Sequence, residues 1–304
     1  AFVMALSYLN ASYSVFSYAA KRYAAIPAVP PLPPAISVEL SSRCNLACPE
    51  CITGTGLIRR KNSFISYDLA SEIAALFRGR SLSAWLSFQG EPMMHPDFFR
   101  ILMLFAGMNP VISTNGHFLD MESCTRLAGS ALKRIIISYD GATPESYGIY
   151  RRGGDYDRVR EGIIRLAGTI RERRSNLKIV LQFLVHRGNE HEIPAAAGFA
   201  RSVGAGFRIK SMQVLDPGRA GVWMPSEHRL ARYACGEERE PGPAGYRDAR
   251  HTSGKAVVRK SAGYGPAEND GEAGIRNAGK VPAKGCLRMW TSAAVASSHR
   301  APMD

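Results

Sequence analysis

The chain has 304 residues, of which 45% are hydrophobic and 21% are charged. This composition is typical of globular proteins, and the length suffices for one large α/β domain with an appendage. The six cysteines are too few and too unevenly spaced for a secreted disulfide scaffold, so we expect a metal site in a reducing compartment and a cytoplasmic location. The formal net charge of +13 suits an anionic partner such as nucleic acid or an acidic peptide, although basic residues scattered over a solvated surface would give the same value.

The first twenty residues carry no charge, and four apolar residues among them recur at helical spacing: Leu6, Leu9, Tyr13 and Phe16. This spacing predicts a helix whose apolar face docks on the body of the protein. A membrane segment or a signal peptide is an alternative on length, but the stretch is interrupted by polar residues and no basic region precedes it, so we expect no firm membrane association. The proline-rich run AIPAVPPLPPA then predicts an extended linker, which makes residues 1–35 an N-terminal helix and linker.

Between residues 36 and 212, short apolar runs alternate with helical patterns. The runs are ISVEL (36–40), AWLSF (84–88), VIS (111–113), RIIIS (134–138), KIVLQFLV (178–185) and FRIK (207–210). Two of the helical faces consist of Leu69, Ile73, Leu76 and Phe77 after a Ser66 cap, and of Val159, Ile163, Leu166 and Ile170. Six strands alternating with helices predict a parallel α/β fold, either a partial (β/α)6 barrel or a doubly wound sheet.

The alternation stops after Met212. Residues 213–284 are rich in Gly, Ala, Pro and charged residues, which predicts a flexible connector. A short apolar stretch, GCLRMWTSAAVA, returns at residues 285–296, and residues 285–304 are predicted to be a short, largely irregular extension.

Three of the six cysteines lie within eight positions, in RCNLACPECITG. Cys44, Cys48 and Cys51 have the spacing i, i+4 and i+7, which admits several kinds of chemistry. A zinc site would need a fourth ligand, for which the candidates are His95, His117 and His191. A thioredoxin-like pair, Cys48 and Cys51, would leave Cys44 without a role. Three thiolates on a four-iron cluster would leave one iron open to a small molecule.

The segment CNLACPEC resembles the CxxxCxxC motif of the radical S-adenosylmethionine (SAM) superfamily, and it follows the first predicted strand, as it does in that family. FQGEPMMHPDF (88–98), ISTNGHFLD (112–120) and ISYDGATPESYGIYR (137–151) resemble further segments of the family. The resemblance implies a partial (β/α)6 TIM-like barrel that carries a 4Fe-4S cluster on the three cysteines and binds SAM. In such enzymes the reduced cluster cleaves SAM to a 5′-deoxyadenosyl radical, which abstracts a hydrogen atom; the electron comes from a donor such as flavodoxin or ferredoxin.

The resemblance also implies which residues contact SAM. The expected cofactor-binding residues are Gly90, Glu91, Pro92, Ser113, Asn115, Ser138, Asp140, Arg151 and Gln182. Glu91 is expected to accept a hydrogen bond from the SAM ammonium group, and Arg151, or its neighbour Arg152, to pair with the SAM carboxylate. Lys210 ends the sixth strand, and it either reaches substrate or cofactor or is an ordinary edge lysine.

The closest resemblance within the superfamily is to proteins with a C-terminal cysteine-rich extension, called SPASM or twitch, such as peptide maturases. The first cysteine of that extension would be Cys286, a candidate ligand of an auxiliary cluster, but no further cysteine follows it, so the extension is expected to be truncated. The expected substrate is a peptide or protein. A degenerate relative that binds the cluster without turnover and a nucleic-acid-binding protein are the alternatives; the second would need a basic face interleaved with aromatic residues, which the sequence does not show.

Overall fold

The computed structural model of this protein describes residues 2–24, 32–227, 230 and 295–296. Within these ranges, no helix is both long enough and apolar enough to cross a membrane. Cys286 and most of the predicted connector lie outside the described residues, so the auxiliary cluster and the SPASM or twitch extension stay predictions.

A parallel sheet in the order β6-β5-β4-β3-β2-β1-β7 forms the centre of the fold. Its strands are β1 (Ala35–Val38), β2 (Ser83–Trp85), β3 (Val111–Thr114), β4 (Arg134–Ser138), β5 (Lys178–Val185), β6 (Gly206–Ser211) and β7 (Val295–Ala296). The first six strands follow each other in chain order, without the reversal that defines a doubly wound sheet. Right-handed crossovers in one direction place the connecting helices on one side of the sheet, which confirms an open, barrel-like α/β arrangement of the six predicted strands.

The helices are α1 (Phe2–Ala24), α2 (Tyr67–Phe77), α3 (Phe98–Leu104), α4 (Met121–Ala128), α5 (Pro144–Tyr150), α6 (Tyr156–Glu172), α7 (Ile193–Ser202) and α8 (Ala220–Trp223). Ser66 caps α2 as predicted, because its side chain accepts a hydrogen bond from the Leu69 amide. The buried face of α2 consists of Ala70, Ile73, Ala74 and Phe77, and the assignment of Leu76 to it was wrong.

The two faces of the sheet differ in chemistry. Apolar strand residues on one face pack against the helices and form the main core, among them Ile112, Ile135, Ile137, Leu181, Phe183 and Val185. Because side chains alternate along a strand, the residues between them point to the opposite, inner face. That face carries Ser113, Ser138, Gln182, Arg208 and Lys210, and a wall of this polarity suits a bound polar molecule.

The N-terminal helix docks through its polar side, contrary to prediction. The four apolar residues at helical spacing are 44% to 66% exposed, whereas Ser7 and Ser17 are buried. The Asn10 side-chain amide donates hydrogen bonds to the carbonyl groups of Leu32 and Arg80, each at 2.9 Å. Hydrogen bonds to the two backbone carbonyls therefore attach this helix to the body of the protein.

Candidate active site

The three clustered cysteines lie on the loop that follows β1, and all are free thiols. Cys48 is buried, and Cys44 and Cys51 are half-buried. Burial raises the pKa of the Cys48 thiol to about 11, and the charges of the two neighbouring thiolates add to this rise while Arg151 opposes it. The loop is tightly folded: a Cβ atom on Gly54 would lie 2.5 Å from the Cys48 amide nitrogen. A metal cation bound here would supply the positive charge that stabilises the thiolates.

No three His, Cys, Asp or Glu side chains in the described part of the chain converge on a position for a single metal ion. His95 Nε2 lies 2.8 Å from the Ile65 carbonyl oxygen, and its Nδ1 accepts a hydrogen bond from the Asp97 amide. His117 is likewise bound at both ring nitrogens, and His191 is exposed. A four-iron cluster makes a different demand, since each of its thiolate ligands binds a different iron.

The Gly90–Pro92 loop after β2 lies directly on the cysteine loop. Gly90 has a φ of +70°, and a Cβ atom there would lie 2.4 Å from the Ser41 carbonyl oxygen and 2.6 Å from that of Arg43. The Glu91 amide donates a hydrogen bond to the Arg43 carbonyl at 2.7 Å. Glycine is thus required at position 90 for both its backbone angle and its close contact.

The Glu91 carboxylate is buried and bound by three donors of the chain itself. It accepts hydrogen bonds from the Met93 amide at 3.0 Å, the Thr114 hydroxyl at 2.8 Å and the Asn115 amide at 2.7 Å. Burial raises the pKa of this carboxyl from 4.5 to about 7, although the hydrogen bonds from Asn115, Met93 and Thr114 oppose the rise. In this arrangement Glu91 joins the end of β3 to the Gly90–Pro92 loop.

Asn115, at the end of β3, joins the cysteine loop to α6. Its side-chain Nδ2 donates to Asn45 Oδ1 at 2.8 Å and lies 3.9 Å from Cys44 Sγ. Its side-chain Oδ1 lies 3.1 Å from His117 Nδ1, and His117 Nε2 accepts from the Asp155 backbone amide at 2.8 Å. Because Nε2 accepts, the neutral imidazole carries its proton on Nδ1 and donates it to Asn115. No pattern in the sequence predicts the contacts that Asn45 and Asp155 make here.

Asp140 and Arg151, both predicted to bind the cofactor, form an ion pair beside the cysteines. Arg151 Nε and Nη2 each lie 2.5 Å from Asp140 Oδ2, and the Leu184 amide donates to Asp140 Oδ1 at 2.8 Å. Arg151 Nη1 lies 3.8 Å from Cys48 Sγ, so its positive charge faces a cysteine thiol. Arg152 is exposed, and its backbone carbonyl accepts a hydrogen bond from the Ala47 amide. The structure therefore places the side chain of Arg151, and not that of Arg152, beside the cysteines.

The other predicted contacts, Ser113, Ser138 and Gln182, share the inner face of the sheet. Gln182 lies opposite Ser138 in the register of β4 and β5. The sequence required a partner for this buried amide, and its Oε1 accepts from Arg208 Nε at 3.0 Å. Ser138 and Gln182 therefore lie at the same level of this wall, and Ser113, opposite Ile136 of β4, lies one inward-facing position earlier.

A second apolar cluster covers the cysteine loop, and half of it comes from beyond β6. Leu46, Cys48, Tyr150 and Leu184 pack with Met212, Val214, Trp223 and Met224. The Glu50 carboxylate accepts from the Leu215 amide at 2.8 Å and pairs with Arg219 at 2.8 Å. Residues 213–224 therefore pack against the cysteine loop, and their assignment to a flexible connector was wrong. The sequence did not predict this packing, because the apolar residues of this segment have neither helical nor strand periodicity.

The donor set fits a cluster with one open iron. Three thiols lie on one loop, are shielded by apolar residues and face one guanidinium group, and the adjoining inner wall is polar. This combination of an open parallel α/β barrel and a three-thiol loop at the carboxyl ends of its strands defines a cluster-binding barrel protein.

Residues 38–199 match the model of the radical SAM superfamily, which is more than half of the chain, and the protein therefore belongs to that superfamily. Its members use a 4Fe-4S cluster and SAM, as the resemblance implied. Similar proteins include GTP 3′,8-cyclase of Hydrogenovibrio crunogenus, 24% identical over 201 residues (64% of this chain, 58% of the relative), and PqqA peptide cyclase of Gluconobacter oxydans, 30% identical over 183 residues (59% and 49%). The crystal structure of Streptococcus suis SuiB bound to the precursor peptide SuiA is similar in fold, with a TM-score of 0.52, 16% identity and coverage of 66% of this chain and 43% of SuiB. The chain spans about half the length of the curated relatives it matches.

Proposed function

We propose that this protein is a radical SAM enzyme that modifies a peptide or protein substrate, in the manner of a maturase. A reduced 4Fe-4S cluster held by Cys44, Cys48 and Cys51 would supply the reductive cleavage of SAM, and the resulting 5′-deoxyadenosyl radical would abstract a hydrogen atom from the substrate. The electron would come from flavodoxin or ferredoxin, and a reducing cytoplasm would keep the thiols ready for the cluster.

The observation that carries the proposal is the convergence of three loops on the cysteines. The Gly90–Pro92 loop is hydrogen-bonded to the cysteine loop through Arg43, Asn115 reaches the same loop from β3, and Arg151 reaches it from the end of α5. These attachments hold the cysteine loop at the edge of the polar inner wall. The protein itself would hold the cofactors in a defined position relative to the substrate, and the apolar residues around Trp223 would exclude water.

A peptide substrate is supported by the relatives and by charge. One relative is named a peptide cyclase, and the structure of SuiB contains a bound precursor peptide. The net charge of +13 favours an acidic partner. The same positive charge would also attract nucleic acid. RNA binding that weakens steeply as the salt concentration rises would favour a nucleic-acid partner over a peptide.

The test is an anaerobic assay of SAM cleavage. The chain is reconstituted with iron and sulfide, reduced and given SAM, and 5′-deoxyadenosine is measured by mass spectrometry with Cys48→Ala as the control. We expect product from the wild type alone. A bound cluster without product would instead identify a cluster-binding relative without turnover. Stimulation of product formation by GTP, but by no peptide, would contradict the peptide assignment.

A further inference from the structure

Lys210 lies on the inner face of the sheet, on the same side as the cysteines. It is opposite Leu184 in the register of β5 and β6, and Arg208 is opposite Gln182. Leu184 packs in the apolar cluster that contains Cys48, which identifies this face as the inner one. Neighbouring residues of β5, Phe183 and Val185, pack in the main core on the other side. Lys210 is therefore no ordinary edge lysine, because its side chain leaves the sheet toward the site.

Lys210 has charged groups of both signs around it. Arg151 and Arg208 are its basic neighbours, and Asp140 and Cys51 are the acidic ones; the Asp140 carboxylate is already paired with Arg151. Within the described part of the chain, the Lys210 ammonium group makes no hydrogen bond or ion pair. The side chain keeps exposed surface in the concave face, yet the surrounding protein atoms and the charge of Arg151 lower its pKa. An ammonium group so placed attracts an anion from outside the chain.

We propose that Lys210 binds the carboxylate of an acidic side chain in the substrate and so determines which peptides are accepted. A carboxylate fits because the ammonium group offers it charge-assisted hydrogen bonds, while Arg208, which donates to Gln182 Oε1, adds positive charge nearby. The proposal rests on the proposed function, since it assigns the inner wall to a peptide. The carboxylate of SAM has the same chemistry, and the experiment must separate the two sources.

The experiment measures how fast Lys210 reacts with acetic anhydride in the reconstituted 304-residue chain, with the labelled peptides quantified by mass spectrometry. The probes are N-acetylglutamate α-amide and its uncharged counterpart, N-acetylglutamine α-amide. At a probe concentration about four times its Kd, we expect the glutamate compound to slow acetylation of Lys210 about fivefold and the glutamine compound to leave it unchanged. Lys178 is the internal control, because it begins β5 at the opposite end of the sheet and is exposed.

Two results would overturn the proposal. One is equal acetylation of Lys210 with the glutamate and glutamine compounds. The other is protection of Lys210 by SAM alone but not by decarboxylated SAM, which would assign this lysine to the cofactor. Neither depends on turnover, so a failure to modify peptides would refute the proposed function without changing this measurement.

Discussion

Burial of the Glu91 carboxyl makes the stability of the protein depend on pH in a specific way. The pKa of this group is about 7 in the folded protein, against 4.5 for an unperturbed carboxyl. The folded state therefore binds more protons than the unfolded state between these two values, and this group lowers stability as the pH rises through that window. With 1.36 kcal/mol per pKa unit, the cost grows from about 1 kcal/mol at pH 5 to about 3 kcal/mol at pH 8.

Substitution of Glu91→Gln removes the ionisation and keeps the shape of the side chain. Gln can present its oxygen to the Asn115 amide and its NH₂ group to the Thr114 hydroxyl, but the Met93 amide then loses its acceptor, which costs about 1–3 kcal/mol at every pH. We expect the difference in unfolding free energy between wild type and variant to change by about 2–3 kcal/mol between pH 5 and pH 8, with the wild type losing more stability.

The assay is urea-induced unfolding, followed by circular dichroism at pH 5, 6, 7 and 8. The 304-residue chain is kept reduced and free of iron, so that loss of a cluster at low pH does not contribute. Other titrating groups affect both proteins equally and cancel in the difference. Parallel pH profiles of the two proteins would show that Glu91 does not titrate in this range, and the reasoning from burial would be wrong.

Three further substitutions test the site. Gly90→Ala should cost at least about 2 kcal/mol more in unfolding free energy than Gly56→Ala, because both glycines have positive φ but only the first would place a Cβ atom against backbone carbonyls; equal losses would refute the close contact. Arg151→Met should cost about 3–5 kcal/mol by leaving the buried Asp140 carboxylate unpaired, whereas the exposed Arg152→Met should change the midpoint of urea unfolding very little. Cys124→Ala should leave the iron content of the reconstituted protein unchanged, since this buried thiol lies in the core on α4; a loss of iron would reopen the assignment of the ligands.

Much of the fold follows from local pattern. The six central strands lie where the apolar runs predicted them, and β4 and β5 match residue for residue. The grouping of Ser113, Asn115, Ser138 and Asp140 near one edge follows as well, because the carboxyl ends of parallel strands meet there. The spacing of the three cysteines and the segments around them identified the family from short stretches of chain.

Other features depend on contacts between residues far apart in the chain. Periodicity revealed the apolar stripe of α1, but the helix is attached through Asn10, because the carbonyl groups of Leu32 and Arg80 are brought beside it only by folding. Two of the three donors to Glu91, Thr114 and Asn115, come from 23 and 24 residues further on. The buried Asp140 is the partner that distinguishes Arg151 from Arg152.

The sequence by itself determined the approximate strands and the superfamily, and it predicted the three cysteine ligands, because these depend on residue type and spacing within short segments. Only the tertiary structure decided that residues 213–224 cover the cysteine loop, that Glu91 is bound by the chain's own donors and that Lys210 points toward the site. The physical reason is the same for each. Burial and the pairing of charges depend on which residues from distant parts of the chain come into contact. Residue type and spacing within a short segment do not show these contacts.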